Sequence, residues 1–497
     1  MATSPQDIAA FQELQESLGA GAPEVVVVVP SLTLHSDELR KIPGAGHFEQ
    51  RLLFTLQLLR TPGLHLHYVT SDRLPPAVVD YALGLVPALA GTDARDRLHL
   101  HDCGDDSPAP LTAKLLDRPD LLERLAAAVT DPATARLVVF TSTPLERELA
   151  LRLGTPVQAC DPDLAALGTK SGGRVLLRSA GVPVLDGVEG VSTEADLVRA
   201  LAELKRRSPG LEKAVVKLNE SFAGAGNAVF SYAGAPDDDP ESWIARRLPV
   251  ALTAPGDTWE GFRDKFTTMG GVVEAFLAGR SVRSPSAQLE IEPDGRVVVL
   301  STHDQVLGGP CGQTFTGCAF PAQRAYRLRV QELGLRGGRA LAAAGVRGHL
   351  SIDFVVDEDA PEGVYALEVN LRMGGATAPF LFTHGLLDGE YDTATGEYRT
   401  RDGAPRCYVT SDRVHDDAFR ALIQADLVAT AERRGLAYDP ATALGCFFYA
   451  LGALPEYGRL GVVAIGADPH DAQRRYDELV NALRQAATAT RDPVATG

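Results

Sequence analysis

LSIDFVVDEDAPEGVYALEVNLRMG, residues 350–374, is the stretch from which the fold can be predicted. It has the pattern of two β-strands joined by an acidic turn, which brings Asp353 towards Glu368, Asn370 and Arg372. Side chains alternate along a strand, so these last three residues share one face and the apolar residues between them share the other. The apolar face predicts contact with a core, and the polar face predicts one cluster of functional groups.

The polar cluster has the composition of a metal and phosphate site. Asp353, Glu368 and Asn370 offer two carboxylates and an amide oxygen, which are hard ligands of the kind that Mg²⁺ takes alongside water and phosphate. Arg372 adds a guanidinium that can pair with a phosphate or carboxylate through two hydrogen bonds. On this segment alone, an ordinary hairpin with a solvated polar face is the alternative.

Composition narrows the classes of function. The chain has 497 residues, more than a single core accommodates, and 45% of them are hydrophobic, as in folded soluble proteins. A formal net charge of −17 disfavours a nucleic-acid or anionic membrane surface, since both require concentrated lysine and arginine. No apolar run approaches the roughly 20 residues of a membrane helix, and no secretion signal is seen, so we expect a cytoplasmic protein.

Two residue types are informative by their distribution. The six cysteines are scattered, and Cys311 and Cys318 form the only close pair, so reduced thiols are expected in place of disulfides or zinc. The chain has 7 lysines and 41 arginines. A position that retains lysine is therefore a candidate for a function that needs a compact ammonium group.

The chain is predicted to be a mixture of α/β and α+β domains. Residues 1–165 contain short β-branched strands separated by helices, including one over residues 47–60, and predict a Rossmann-like layer structure. Residues 166–385 combine helices, a glycine-rich loop and antiparallel hairpins. The segment 382–405 is predicted to be a loop or linker, and residues 406–497 a small α/β domain whose last helix begins after Asp468.

Two lysines suggest an anionic ligand. Lys217 ends the strand EKAVVKL and precedes NESFAGAGNAVF, where a strand-end ammonium and glycine-loop N–H groups can hold phosphates. Lys170 stands at the expected start of the second domain. Taken singly, each could be a surface lysine, but two of the seven at these places favour one shared ligand.

The following strands supply further candidates. In VVEAFLAG, Glu274 needs a partner because it is an acid in an apolar strand, while Phe276 and Leu277 could enclose a purine or lie in the core. Polar residues beside glycines at the next strand ends are candidate substrate contacts: Arg280, Arg283, Gln288, His303, Asp304, Gln305 and Gln313. His303 and Asp304 are adjacent on a strand and point apart, so a direct catalytic dyad is not expected.

The order of these motifs along the chain resembles that of the ATP-grasp superfamily. The motifs are Lys170, Lys217 with its glycine loop, Glu274, and the Asp353 hairpin with Arg372. The resemblance implies ATP held between two α+β subdomains and two Mg²⁺ ions held by Asp353, Glu368 and Asn370. It implies catalytic roles for Arg372, Lys217 and Arg283. It also implies nucleotide contacts by the following residues: Lys170, Lys217, Ser221, Gly224, Gly226, Asn227, Glu274, Phe276 and Leu277.

The sequence departs from many ATP-grasp ligases at one position. Those enzymes carry an arginine two residues before the first metal-binding acid, and here that residue is Ser351. Arg347 and Arg283 are the candidates to supply the missing charge.

A narrower resemblance covers nearly the whole chain. It is similar to the pheganomycin-type peptide ligases in segments such as PSLTLHSDELRKIPGAGHFEQRLL, LGTKSGGR, RSPSAQ, THDQVLGG and GALPEYGRLGVVAIGADPHDA. The resemblance implies an ADP-forming ligase that joins an unusual, in some cases guanidino, amino acid to an amino acid or peptide in natural-product biosynthesis. It implies substrate contacts by Gln288, His303, Gln305, Gln313 and Arg372.

Two other functions stay open at this point: an ATP-grasp ligase with a non-amine nucleophile, and a nucleotide-binding protein without catalysis. The expected partners are small-molecule carboxylates and amines or peptides, with no nucleic acid and no membrane. A homodimer is one assembly that the sequence leaves open.

Overall fold

The computed structural model describes residues 4–18, 21–220, 226–236, 238–254, 257–277, 281–308 and 314–491. Within these ranges, the strands form three sheets of four, five and ten strands that follow one another along the chain. No helix in the described ranges is long and apolar enough to cross a membrane.

The first sheet is parallel and is covered by helices. Its region contains α1 (Pro5–Glu16), β1 (Val25–Val29), α2 (Ser36–Arg40), a 3₁₀ helix (Ala45–Arg60), β2 (His65–Thr70), α3 (Pro76–Gly84), β3 (Leu98–Asp102), α4 (Leu111–Leu116), α5 (Pro119–Ala128), β4 (Ala135–Val139) and α6 (Pro144–Leu153), with short 3₁₀ turns at Pro87–Leu89, Asp93–Arg95, Pro132–Thr134 and Pro162–Gly168. The described strands lie in the order β3-β2-β1-β4. The valine run of β1 is central and buried on both faces, as parallel strands between helices are.

The predicted parallel α/β layer is confirmed, with two differences of detail. The edge strand β3 was not predicted, because LHLHD is short and half polar. The helix expected over residues 47–60 is a 3₁₀ helix in the structure. Its Leu52, Leu56 and Leu59 are each 1% exposed, as expected, whereas Phe48 lines a cavity.

The second sheet is antiparallel. Its region contains α7 (Lys170–Ser179), β5 (Gly187–Val191), α8 (Glu194–Arg207), β6 (Lys213–Leu218), β7 (Asn227–Ser231), α9 (Pro240–Ala251), β8 (Leu252–Thr253), α10 (Trp259–Met269) and β9 (Gly271–Ala275). The order is β5-β9-β6-β7-β8, so β9 and β6 are neighbours near the middle. Lys217 on β6 and Glu274 on β9 are thereby brought to adjacent strands.

The third sheet is larger and extends to the end of the chain. Its region contains β10 (Val282–Ile291), β11 (Val297–Gly308), β12 (Thr314–Phe320), α11 (Arg327–Ala343), β13 (Gly348–Asp357), β14 (Ala360–Asn370), α12 (Thr377–Leu386), β15 (Gly389–Asp392), β16 (Glu397–Thr400), β17 (Pro405–His415), α13 (Gln424–Arg433), β18 (Gly445–Tyr449), α14 (Leu454–Tyr457), β19 (Arg459–Gly466) and α15 (Pro469–Arg491), with 3₁₀ turns at Asp417–Ala421 and Leu451–Ala453. The main order is β14-β13-β10-β11-β12-β17-β16-β15, and β19 joins β17 to β18.

Glycines of α11 let this helix lie close against the third sheet. A Cβ atom added at Gly334 would come within 2.6 Å of the Ala287 Cβ, and one at Gly337 within 2.6 Å of Ile352 Cδ1. Contacts this short are not tolerated in a packed interior. The helix thus supports the backs of β10 and β13, whose opposite faces carry Gln288 and Asp353.

The prediction of a loop or linker at 382–405 is wrong. These residues complete α12 and then form the hairpin of β15 and β16, which pairs with β17. The strands are only four residues long and rich in turn-forming residues, so their composition resembles that of a loop. Asp468 does cap the last helix, accepting a hydrogen bond from the Asp471 N–H at 2.9 Å. The domain boundaries near residues 165, 385 and 406 stay predictions.

Candidate active site

One large cavity lies between the second and third sheets and reaches the first and last parts of the chain. Its volume is about 1620 Å³. Most of the polar residues singled out from the sequence line it: Lys170, Lys217, Asn227, Glu274, Arg283, Gln288, Gln305, Asp353, Glu368, Asn370 and Arg372. The structure therefore gathers at one place residues that are up to about 200 positions apart in sequence.

The predicted hairpin carries its acidic residues as expected. Asp353 on β13 is directly opposite Glu368 on β14, and Ser351 is opposite Asn370. The Asn370 Nδ2 lies 3.1 Å from Asp353 Oδ2 and 3.4 Å from Glu368 Oε1. The two carboxylates and the amide thus form one compact set at the cavity wall.

The pKa values of the two carboxylates shift in opposite directions. Burial, followed by the adjacent Glu368 carboxylate, raises the pKa of Asp353 to about 8. Burial also acts against ionisation of Glu368, but Lys170 and then Lys217 outweigh it and lower the pKa of Glu368. The two carboxylates thus lie in unlike environments: Asp353 is held towards its neutral form, and Glu368, beside the two lysines, towards its ionised form.

This donor set fits a magnesium ion that is also bound by a ligand. Among the described residues there is no group of three His, Cys, Asp or Glu side chains that could hold a metal. Two carboxylates and an amide would leave several positions of an octahedral ion to phosphate and water, which is the usual arrangement for Mg²⁺ in nucleotide sites.

Lys170 joins the second sheet region to the hairpin. It begins α7 after the N-cap Thr169, and its side chain is 9% exposed. Its Nζ contacts Glu368 Oε2, and its backbone N–H donates to the Asn219 carbonyl at 3.2 Å. A compact ammonium is thus fixed beside the carboxylate pair, as the shortage of lysine in the chain suggested.

Lys217 and Glu274 form a second charged group in the cavity lining. The Lys217 Nζ lies 3.2 Å from Glu274 Oε2, and the Glu274 side chain is only 1% exposed. Arg174 approaches the same oxygen at 3.5 Å and also pairs with Glu189 at 2.8 Å. The other oxygen, Glu274 Oε1, is buried without a hydrogen-bond partner among the described residues.

Arg174 was not identified from the sequence. The available signal was Glu274 itself, because an acid in an apolar strand requires a cationic partner. The sequence could not show which of the 41 arginines provides it.

The segment after β9 forms a wall of the cavity. Phe276 and Leu277 are half-buried and line it, so Phe276 is not a core residue. The Phe276 N–H donates to the Lys213 carbonyl at 3.2 Å, and the Lys213 ammonium lies 5.8 Å from the Phe276 ring centroid. Gly226 has φ +85°, and the adjacent Asn227 also lines the cavity. Ser221 and Gly224 lie outside the described residues.

The predicted substrate contacts divide into two groups. Gln288 accepts a hydrogen bond from Thr377 Oγ1 at 3.0 Å, and Gln305 lies beside Asp353; both line the cavity. His303 does not. It is 0% exposed and lies 2.6 Å from the Tyr408 hydroxyl in an aromatic cluster, so a direct substrate contact is not supported. Gln313 and Arg280 lie outside the described residues.

His303 points inward because strand alternation sends its neighbour Asp304 the other way. Asp304 accepts a hydrogen bond from the Tyr326 hydroxyl at 2.8 Å, which confirms that the two side chains form no dyad. Burial lowers the pKa of His303 to about 3, so it is neutral at physiological pH.

Of the two arginines considered for the charge missing at Ser351, one lies in the cavity. Arg283 lines it and pairs with Glu358 at 2.8 Å. Arg347 instead donates to the carbonyls of Pro293, Ala342 and Val346, away from the cavity lining. Arg51 was not identified from the sequence; it reaches the cavity from the 3₁₀ helix of the first region.

The fold and this arrangement define a protein of the ATP-grasp class. Residues 240–394 match the family model described as IQCH-like, ATP-grasp, and residues 426–479 match that of the PGM1 C-terminal domain. The biotin carboxylase domain of Hydrogenobacter thermophilus 2-oxoglutarate carboxylase, in complex with MgADP, has a similar fold. Its TM-score is 0.56 at 11% identity, covering 95% of this chain and 94% of that one.

A second solved structure has the same fold. Staphylococcus aureus N5-carboxyaminoimidazole synthetase complexed with ADP has a TM-score of 0.51 at 11% identity, with 93% of this chain and 98% of that one covered. At these identities the likeness shows the fold alone.

A curated relative fixes the family. L-propargylglycine–L-glutamate ligase of Streptantibioticus cattleyicolor is 32% identical over 459 residues, which are 90% of this chain and 91% of that enzyme. The chain belongs to the ATP-grasp ligase family that includes this enzyme. The resemblance to ATP-grasp peptide ligases inferred from the sequence is thereby confirmed.

Proposed function

We propose that the protein is an ATP-dependent ligase that joins a carboxylate to an amine through an acyl phosphate and releases ADP and phosphate. The observation that carries this proposal is the single cavity in which Lys170 and Lys217 lie with Asp353, Glu368 and Asn370. Cations for phosphate oxygens and hard oxygen ligands for a divalent ion are what phosphoryl transfer requires.

In this proposal, the adenine lies against the wall formed after β9. Glu274 Oε1 supplies an acceptor that lacks a partner among the described residues. The Phe276 N–H already donates to the Lys213 carbonyl, so the Phe276 carbonyl and the Leu277 backbone are the further groups proposed to bind the adenine edge. Lys170 and Lys217 contact the phosphates, with Asn227, which follows Gly226, lining the same cavity. The sequence-based roles of Ser221 and Gly224 in a phosphate lid stay predictions.

Asp353, Glu368 and Asn370 would hold the magnesium, and we propose two ions. Bound there, Mg²⁺ neutralises phosphate oxygens and orients the transferring group. Carboxylate ligands bind a metal ion in their ionised form. Lys170, already in contact with Glu368, keeps that carboxylate ionised beforehand.

The proposed reaction has two steps, and the protein contributes to them by positioning the substrates and stabilising charge. A carboxylate oxygen attacks the γ-phosphorus of ATP, and the bond to the β–γ bridging oxygen breaks to release ADP. The amine then attacks the acyl carbon, loses a proton and expels phosphate to leave an amide. Arg372 lies on the side of Asn370 and can pair with the transferring phosphoryl oxygens. No protein nucleophile takes part.

The name of the relative suggests the substrate class. That enzyme is named as a ligase of L-propargylglycine and L-glutamate, so we propose that this chain also joins amino acids, one of them unusual, in natural-product biosynthesis. A guanidino acid is one such donor. We propose a cytoplasmic enzyme with small-molecule partners and no nucleic-acid partner, in keeping with the net charge of −17.

Product mass spectrometry tests the proposal most directly. The protein is incubated with Mg-ATP and a mixed pool of amino acids, guanidino acids and short peptides, while ADP and phosphate release are followed. We expect a new amide whose formation matches ADP release and requires both a carboxylate and an amine. Failure of every donor and acceptor pair to give amine-dependent ADP would overturn the ligase function. Asp357→Asn, at the end of the same hairpin and outside the cavity lining, is the control variant that should remain active.

A further inference from the structure

A buried ion pair in the cavity joins residues from distant parts of the chain. Arg51 belongs to the 3₁₀ helix of the first region, and Asp412 belongs to β17 in the last part of the chain. The Arg51 Nη2 contacts Asp412 Oδ2, and the two side chains are 9% and 4% exposed. Both residues line the cavity. Neither belongs to the lysines and carboxylates proposed to bind the phosphates and the metal.

The aspartate of this pair lacks, within the part of the chain that the structure describes, a hydrogen bond to one of its two oxygens. Asp412 Oδ1 is buried and has no hydrogen-bond partner among the described residues. A buried carboxylate oxygen left without a donor carries a desolvation cost that a ligand N–H can remove. An ammonium or amine group is the donor that a carboxylate binds most strongly.

Around Arg51, several neighbouring side chains are positively charged. Burial, together with the nearby charges of Arg459, Arg413 and Arg372, lowers the pKa of Arg51 to about 10, which leaves it charged at neutral pH. Arg413 also lines the cavity, and its guanidinium makes no ion pair within the described part of the chain. One aspartate therefore faces several guanidinium groups, and a ligand anion would correct this imbalance.

An aromatic ring orients the Arg51 guanidinium. The Arg51 guanidinium lies 3.7 Å from the Phe48 ring centroid, and Phe48 packs edge-on against Phe140 at 6.3 Å. Stacking on an aromatic ring holds the guanidinium plane in one orientation, which favours binding of a planar carboxylate. The two rings also line the cavity and offer an apolar surface for a side chain.

We infer that Arg51 and Asp412 bind the zwitterionic head group of an amino-acid substrate. Asp412 Oδ1 accepts from the ammonium group, and Arg51 and Arg413 bind the carboxylate. Asp412 and Arg413 are adjacent in β17, but the register of its pairing with β19 shifts between Ser411 and Val414, and both residues line the cavity. This inference rests on the proposed ligase function and assigns its amine-donating substrate to a site built from the first and last parts of the chain. The carboxylate of that substrate does not react, and its nitrogen loses a proton beside Asp412 before it attacks the acyl carbon.

Kinetics with variants and matched analogues test this site. Asp412→Asn and Arg413→Gln should each raise KM for one amino-acid substrate by about tenfold or more, the usual effect of losing a hydrogen bond to a charged group, and change KM for ATP less than threefold. Arg413 is exposed, so its variant is expected to fold normally. Asp416→Asn is the control, because Asp416 caps the next turn and lies outside the cavity lining.

Analogues of the amino acid separate recognition from a structural effect. The acetylated amino acid cannot react, so its binding is measured as competitive inhibition. Acetylation should weaken binding to the wild-type protein but cause little further loss in Asp412→Asn, and amidation of the carboxylate should behave likewise with Arg413→Gln. Equal penalties for the analogue in wild type and variant would overturn the site while leaving the ligase function intact. A wild-type protein without amine-dependent ADP release would overturn the ligase function and, with it, this inference.

Discussion

Replacement of Glu274 by glutamine tests whether adenine binds at the cavity wall formed after β9. The substitution keeps the volume of the side chain but removes its charge, which currently faces Lys217 at 3.2 Å and Arg174 at 3.5 Å. It also turns one of the two oxygens into an N–H₂ donor. In the proposed complex, the adenine donor that binds Glu274 Oε1, an oxygen without a partner among the described residues, would lose its charged acceptor.

The expected size follows from the hydrogen bond that is lost. A hydrogen bond to a charged group contributes about 1.5–3 kcal/mol, which corresponds to a weakening of ADP affinity by about 10- to 150-fold. Removing the anion also leaves Lys217 and Arg174 with less compensating charge in a buried place. This second effect reduces stability, because an unpaired buried charge is unfavourable.

Isothermal calorimetry of ADP binding measures the affinity, and thermal unfolding of the same samples measures the stability. Glu189→Gln is the matched control: it removes the other carboxylate partner of Arg174 but lies outside the cavity lining. It should lower stability and leave ADP affinity within about threefold of wild type, well inside the effect of a lost charged hydrogen bond. If Glu274→Gln bound ADP as tightly as the wild-type protein, the assignment of this wall to adenine would be refuted.

Three further predictions concern other parts of the molecule. Lys217→Ala should weaken nucleotide binding, and an unchanged affinity by calorimetry would count against its phosphate role. Glu368→Ala or Asn370→Ala should lower turnover by about 10³-fold or more with an unchanged circular dichroism spectrum, because each loses a ligand of the ion that stabilises charge; wild-type turnover with normal Mg²⁺ dependence would contradict the metal site. Glu49 accepts hydrogen bonds from the Ser71 N–H at 2.7 Å and its hydroxyl at 2.5 Å, and burial raises its pKa from 4.5 to about 7. The unfolded chain therefore loses this proton at lower pH than the folded protein, so Glu49 makes stability fall by up to about 3 kcal/mol as the pH rises from about 4.5 to 7. Glu49→Gln should flatten that part of the curve in chemical denaturation, and an identical slope in both proteins would disprove the role.

Local patterns were sufficient for the hairpin at the centre of the site. Strand alternation placed Glu368 and Asn370 on one face, and the acidic turn brought Asp353 opposite Glu368, as the structure confirms. These contacts join residues close in sequence, so periodicity and turn chemistry determine them. The ATP-grasp fold was likewise predictable, because the spacing of its motifs along the chain resembles that of known members.

Long-range partners were not predictable. Arg174 and Arg51 look like any other arginines in the sequence, and their roles depend on which strands become neighbours. His303 illustrates the opposite error: a polar residue among glycines suggested a substrate contact, but its strand face is turned into an aromatic cluster. The hairpin at 389–400 was missed because its stability comes from pairing with β17 and not from its own composition.

The pairing of β12 with β17 ties the end of the chain to the catalytic sheet. Backbone partners Cys318–Thr410, Ala319–Val409 and Phe320–Tyr408 join the two strands, and β19 continues from β17. A chain shortened to end near residue 385 would therefore leave β12 as an open edge, whose unpaired N–H and C=O groups invite association with another molecule. Protease protection and expression experiments should accordingly find the last ninety or so residues inseparable from the nucleotide-binding part, even though the sequence presents them as a separate module.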